Sequence, residues 1–123
     1  MITYTGVLLR LDGVPDQGGE IFDENTAIEL PSHNVPVTLE FHGQPEFWLG
    51  NARLYFESDN LKYDMQLDDT RLPKHALEIL IPCVGGFVKG RNGKNITHAS
   101  ITSIGLTSVG NADARIKRLK DQT

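Results

Sequence analysis

Nucleophilic chemistry is the reaction class for which the sequence supplies the most candidate residues. Cys83 is the one cysteine among 123 residues, and a thiol becomes a strong nucleophile when a neighbouring base activates it. His42 is a suitable base, and Glu40 lies two residues before it, on the same face of an extended strand, where it can orient the imidazole. The alternative interpretations are a solvent-facing strand histidine for His42 and a small buried apolar residue for Cys83.

Metal and cofactor chemistry have little support in the sequence. The other histidines, His33, His75 and His98, form no pair at a metal-ligand spacing, and one cysteine cannot build a structural zinc site. Gly90–Lys94 contains glycines and a lysine, but it lacks the spacing of a phosphate-binding loop and is better interpreted as a turn between strands. We therefore expect neither a metal ion nor an organic cofactor.

Alternating apolar and polar residues predict strands through the first half of the chain. Ile2–Leu11 and Val35–Phe41 are two of them. Ala52–Glu57 and Leu61–Leu67 flank the turn residues Ser58–Asn60 and predict a β-hairpin with one apolar face and one charged face. In the first strand, the pattern places three apolar side chains on one face: Val7, Leu9 and Leu11.

The second half predicts one helix followed by more strands. Thr70–Leu80 has apolar residues at helical spacing, with Thr70 as a suitable N-cap and Pro82 ending the helix. Val84–Val88 and Ile96–Val109 then predict two or three strands. Six or seven strands and one helix predict a β-rich α+β domain, in the form of a small closed or strongly curved β-barrel with about one packed helix.

Composition limits the number of domains and the classes of partner. A chain of 123 residues with 39% apolar residues fits one domain, predicted over residues 1–116, followed by a basic C-terminal tail at 117–123. The net charge of −4 disfavours a nucleic-acid partner. The basic residues at 115–120 suit either a solvated tail or a docking segment for an acidic partner. We expect no signal peptide, no membrane span and a reducing compartment.

Five segments occur in the order of motifs that belong to one known family. They are Gly19–Phe22, Val35–His42, Leu49–Leu54 (LGNARL), Cys83–Phe87 (CVGGF) and Ile101–Ile116 (ITSIGLTSVGNADARI). In these segments the chain resembles the prohead (head maturation) protease family of tailed phages. The corresponding family motifs are an opening loop that leads to a short helix (here at Ala27–Ile28), a strand ending in the catalytic His, an "IGxAxL" strand, an "SIGG" strand with the nucleophilic Ser, and an "ITEVSLVxxPANPxARI" ending.

The resemblance implies an assemblin-like fold with an altered catalytic site. His42 matches the catalytic histidine, but Gly43 follows it where the family has Asp. Cys83 stands in the position of the nucleophilic Ser, and Ser103 stands where an acidic residue supports the His. Ser103 also begins the segment SIGL, which is an alternative match to the Ser-bearing strand. A histidine without its orienting acid is poorly fixed, so catalysis should be strongly weakened.

Three functions are compatible with this sequence. The first is a capsid-associated structural protein of a tailed-phage head, without catalysis. It would bind the major capsid or scaffold protein as a cement, decoration or assembly component, in a homo-oligomer or larger assembly, in the virion capsid or in the host cytoplasm during assembly. The second is an active head maturation protease that uses Cys83 and His42, with Glu40 or a water in place of the third member. The third is an unrelated β-rich binding module, which a structure without a closed or nearly closed barrel would favour.

Overall fold

Strands dominate the computed structural model, which describes residues 2–15, 19–41, 44–71, 80–108 and 119–121. Within these ranges there are eight strands and one 3₁₀ turn. They are β1 (Ile2–Arg10), β2 (Ala27–Glu29), β3 (Val35–Phe41), β4 (Gln44–Glu57), β5 (Asn60–Leu67), the 3₁₀ turn (Asp69–Arg71), β6 (Leu80–Asn92), β7 (Asn95–Ser108) and β8 (Leu119–Asp121).

All the described strands belong to one sheet. Its order is β1-β5-β4-β3-β7-β6-β8, and β2 pairs with β7 beside this path. The pairs β2–β7, β3–β7 and β6–β8 are parallel, and the other pairs are antiparallel. β8 comes from the predicted basic tail, so the structure places part of that tail in the sheet, opposite Gly86–Val88 of β6.

The β4–β5 hairpin confirms the prediction from alternation. Glu57 pairs with Asn60 across a two-residue turn, and Gly50 pairs with Leu67 near the other end of the ladder. Ser58, in the turn, has a φ of 55°, in the left-handed region. The face turned to the core buries Ala52, Leu61, Met65 and Leu67, while the other face carries Arg53, Lys62 and Asp64.

β1 departs from the predicted alternation at Leu8. Val7 lies opposite Lys62 and Leu9 lies opposite Leu61, so Leu8 is an extra residue in a β-bulge. Leu8 and Leu9 are both buried, whereas Val7 is 38% exposed. The prediction that Val7 and Leu9 lie on one face is therefore wrong, because the bulge reverses the alternation between them.

β7 is paired along both of its edges. On one edge it forms a long antiparallel ladder with β6. On the other edge, three parallel pairings follow one another: Ile21 opposite Asn95, β2 opposite residues 98–100, and β3 opposite residues 104–106. The buried hydroxyl of Thr26 strengthens this alignment, since it donates a hydrogen bond of 2.8 Å to the carbonyl of Ile96.

Predicted barrel closure and a packed helix are both wrong for the part of the chain that the structure describes. Some Cα atoms of β1 and β6 lie within 8 Å of each other, but no ladder joins β1 to β6 or β8, so the sheet is open. No α-helix occurs in the described ranges. Ala27–Glu29, where the resemblance implies a short helix, is strand β2, because it pairs with β7. Residues 72–79 of the predicted helix lie outside those ranges, and Pro82 is the third residue of β6. Pairing of Leu80 with Ser108 on β7 outweighs the local helical pattern there.

A side chain at Gly50 should disrupt the β4–β5 ladder. A Cβ at this position would overlap the carbonyl oxygen of Gln66 on β5, and the two backbones cannot separate without losing hydrogen bonds. Gly50→Ala should therefore lower the free energy of unfolding by about 1–3 kcal/mol, measured by urea denaturation. Gln66→Ala, at an exposed position of β5, is the control and should stay within about 0.5 kcal/mol of the wild-type value. Equal midpoints for Gly50→Ala and wild type would contradict this register.

Candidate functional site

Two of the predicted site residues, Cys83 and Ser103, lie on neighbouring strands. In the antiparallel β6–β7 ladder, Cys83 pairs with Gly105 and Ser103 pairs with Gly85. Directly opposed residues share a face of the sheet, and so do alternate residues of one strand. Cys83 and Ser103 therefore lie on the same face at diagonal positions, which are typically about 7–8 Å apart. The sheet register thus brings together two residues that are far apart in sequence.

Burial limits what the Cys83 thiol can do. Cys83 is 0% exposed, and Ser103 is half-buried. The next residue, Val84, is also 0% exposed and packs in the apolar core on the opposite face, where it pairs with Ile104. Both faces of β6 are therefore covered at this point. A peptide substrate cannot reach the thiol in this arrangement, which favours the interpretation of Cys83 as a small buried residue.

The pairing also fixes how far a base on β3 is from Cys83. Gly105 lies beside Cys83, and Thr38 of β3 lies beside Gly105. Because β7 separates β3 from β6, the backbones of Thr38 and Cys83 are about 10 Å apart, two strand spacings. A base carried by β3 beside Gly105 would have to reach across that residue to contact the thiol.

The remaining predicted site residues are described only in part. Glu40 pairs with Pro45 close to the end of β3, and its side chain is not among those that the structure describes. His42 and Gly43 lie outside the described residues. The contact between His42 and Cys83, and the orienting role of Glu40, therefore stay predictions.

Trp48 is an exposed aromatic side chain in the same lateral row. It pairs with Thr38 and is 42% exposed. Its indole N–H donates to Oδ1 of Asn51 at 3.4 Å, and its carbonyl oxygen accepts a hydrogen bond of 2.8 Å from Nη1 of Arg71. Exposed aromatic rings with a polar partner are frequent in protein contact surfaces, so Trp48 is a candidate contact residue.

A charged cluster joins β2, β6 and β7, and no motif in the sequence predicts it. Oε2 of Glu29 lies 2.6 Å from Nζ of Lys89 and 2.8 Å from Nε2 of His98. The hydrogen bond from Lys89, with further contributions from the Lys89 charge and from His98, lowers the pKa of Glu29. Two residues further along β6, Nη1 of Arg91 lies 3.2 Å from both carboxylate oxygens of Glu20. These ion pairs connect the acidic segment before β3, through Glu20 and Glu29, to the β6–β7 hairpin.

A signal for this cluster was present in the charge distribution. The sequence has no Lys or Arg between Arg10 and Arg53, although this stretch contains eight acidic residues. Cations from elsewhere in the fold favour such a segment when its carboxylates lie close to a neighbouring strand. Lys89 and Arg91 alternate with Val88 and Gly90 on β6 and supply those cations.

A second polar cluster lies on the charged face of the β4–β5 hairpin. Nη2 of Arg53 lies 2.7 Å from Oδ2 of Asp64, and the Tyr55 hydroxyl donates to Oδ1 of Asp64 at 3.2 Å. The Arg53 guanidinium also lies 4.5 Å from the centre of the Tyr55 ring. The hydrogen bond from Arg53 lowers the pKa of Asp64. Because these groups satisfy one another, the cluster stabilises the hairpin and shows no arrangement suited to catalysis.

The described residues contain no further arrangement that indicates a ligand. No group of three or more His, Cys, Asp and Glu side chains among them is arranged to hold a metal ion. A small open cleft between Arg10, Asp12, Val14 and Glu20 has charges of both signs at its rim. No helix in the described part of the chain has the length and apolarity needed to cross a membrane.

Comparison with protein-family models, curated proteins and solved structures finds no match to this chain.

The Cys83 thiol should react slowly in the folded protein. Because it has no exposed surface, a thiol reagent such as dithiobisnitrobenzoate should modify it only when β6 opens or the chain unfolds. The rate should therefore rise with added urea. Thr102→Cys, at an exposed position of β7, is the matched control and should react within the mixing time. If the wild-type thiol reacts as fast as the control thiol, the burial of Cys83 is wrong.

Removal of the Lys89 ammonium should raise the pKa of Glu29 towards the ordinary glutamate value of 4.5. A lowered carboxyl pKa adds stability that is present above pH 4.5 and is lost as the pH falls through the folded-state pKa. Lys89→Met should therefore reduce this contribution at neutral pH. Carboxyl chemical shifts in an NMR titration measure the change, and Lys62→Met, which removes the partner of Glu57 instead, is the control. An unchanged Glu29 pKa in Lys89→Met would contradict the cluster.

Proposed function

We propose that this chain is a capsid-associated structural protein of a tailed-phage head, related to the prohead proteases but without their catalysis. It binds the major capsid or scaffold protein as a cement, decoration or assembly component, in the capsid or in the host cytoplasm during assembly. The observation that carries the loss of catalysis is the complete burial of Cys83 within a paired strand.

The geometry supports this proposal in two steps. A nucleophile must meet the scissile carbonyl, and Cys83 is covered on its own face while Val84 fills the core on the other. The residue in the position of the supporting acid, Ser103, carries no negative charge to orient a histidine. The segments that carry the resemblance, Cys83–Phe87 and Ile101–Ser108, are nevertheless neighbours in the β6–β7 ladder, as a shared ancestral site would require.

An unrelated β-rich binding module is the second candidate, and one observation favours it. The sheet is open between β1 and β8 in the described part of the chain, and this module is expected when no closed or nearly closed barrel forms. In that case the exposed Trp48 and the charged face of β4–β5 would contact a partner outside a phage head. The two candidates share a non-catalytic mode of action and differ in the identity of the partner.

Co-expression with the capsid and scaffold proteins tests both the context and the chemistry. We expect the chain to copurify with assembled particles at a fixed stoichiometry and to leave both partner proteins uncleaved. Cys83→Ala, checked for folding by circular dichroism, should give the same particles and the same absence of fragments, because the thiol makes no bond to a substrate.

The other outcomes separate the alternatives. Fragments that disappear with Cys83→Ala and with His42→Ala would establish the active protease that uses this pair, and would overturn the structural role. Particles that assemble without binding the chain would favour the unrelated binding module. Trp48→Ala is the matched surface variant, and it should reduce incorporation in particles without changing the folding of the chain.

A further inference from the structure

The turn between β6 and β7 contains the one asparagine of the sequence that is followed by a glycine, Asn92. Asn92 pairs with Asn95, so Gly93 and Lys94 form a two-residue turn between them. All four residues are exposed, and Gly93 has a φ of 63°, in the left-handed region that favours glycine. The tip of the β6–β7 hairpin is therefore open to water.

The backbone nitrogen of Gly93 is accessible to the side chain that precedes it. A Cβ at Gly93 would meet no atom within 4 Å beyond the two adjacent residues. Within the described part of the chain, the N–H of Gly93 donates no hydrogen bond. Every other asparagine precedes a residue whose side chain crowds this nitrogen, and Asn95 precedes the β-branched Ile96. The amide of Asn92 and the nitrogen beside it are thus unusually free to meet.

We propose that Asn92 is a site of spontaneous deamidation in the folded protein. The deprotonated nitrogen of Gly93 attacks Cγ of Asn92. A Cγ–N bond forms, the Cγ–Nδ2 bond breaks, and Nδ2 leaves as ammonia with the proton that Gly93 gives up. Water then opens the cyclic imide. Attack of water on Cγ gives an ordinary aspartate, and attack on the main-chain carbonyl carbon gives isoaspartate, in which the main chain runs through Cγ.

Isoaspartate in this turn changes the part of the fold that aligns the acidic segment before β3. The carbonyl of Lys94 accepts a hydrogen bond of 2.9 Å from the N–H of Ile21, and the carbonyl of Ile21 accepts one of 2.8 Å from Ile96. An extra main-chain carbon at position 92 shifts Lys94 relative to Ile96, because a two-residue turn has a fixed geometry. The modification therefore loosens the segment at Ile21 and adds a negative charge to the turn.

Peptide mapping of the purified, aged chain tests the reaction. The folded protein is incubated in mildly alkaline buffer, digested with chymotrypsin and analysed by mass spectrometry, with isoaspartyl methyltransferase labelling the isoaspartate. Asn95 is the internal control, since it is exposed in the same hairpin. We expect Asn92 to be modified at least about tenfold faster than Asn95. The rate should rise with pH, because the attacking nitrogen must lose its proton.

Asn92→Gln is the matched variant, because glutamine keeps the amide but must close a larger ring, which forms more slowly. With its fold checked by circular dichroism, it should release ammonia at least about tenfold more slowly than the wild-type chain. Equal rates at Asn92 and Asn95 in the folded wild-type chain would overturn the inference. Modification of Asn92 that occurs only in urea would overturn it as well, because the folded turn would then be protective.

Amide hydrogen exchange tests the consequence for the acidic segment. In the separated isoaspartate form, the N–H groups of Ile21 and Ile96 should exchange about tenfold faster than in the unmodified chain. Asn92→Asp is the control, because it adds the charge without the extra main-chain carbon and should keep the original exchange rates. Unchanged exchange in the isoaspartate form would overturn the loosening at Ile21. These measurements use the purified chain and do not depend on the proposed assembly role.

Discussion

The two-sided pairing of β7 is the constraint on which the rest of the structure depends. Its antiparallel ladder with β6 occupies one edge, and the chain from Ile21 through β3 follows the other edge in parallel. Parallel neighbours cannot be joined by a tight turn, so the long β4–β5 hairpin and the return through β6 are needed before β7 can meet β3. The core residues Ile101 and Ile104, both fully buried, are the centre of this arrangement.

The same pairing places Cys83, the candidate nucleophile, where it has no exposed surface. A strand with a partner on β7 and side chains covered on both faces cannot offer a nucleophile to a substrate, and Cys83 lies in such a strand. Proteins that lose a reaction can keep the fold that supported it, because packing and surface contacts do not need the reacting groups. Under the proposed structural role, the exposed Trp48 and the charged hairpin face are the surfaces expected to contact other molecules.

Ion pairs join the acidic first third of the chain to the β6–β7 hairpin. Glu20 and Glu29 meet Arg91 and Lys89, which the β6–β7 hairpin places on the other side of β7. Each exposed pair contributes little alone, and the backbone pairing of β2 with β7 carries more of the stability. The pairs set the alignment, since a shift of the acidic segment along β7 would separate the carboxylates from their cations.

The sequence by itself determined the local elements whose alternation or turn residues are unambiguous. The β4–β5 hairpin, the buried face of β3 and the turn before β7 belong to this group, because side-chain alternation and turn preference act over a few residues. Only the tertiary structure decided the bulge at Leu8, the strand assignment of Leu80–Pro82, the open sheet and the diagonal placement of Cys83 and Ser103. Each of these depends on which residue of a distant strand lies opposite, and register is fixed by hydrogen bonds and burial across the whole sheet, beyond the reach of a local pattern.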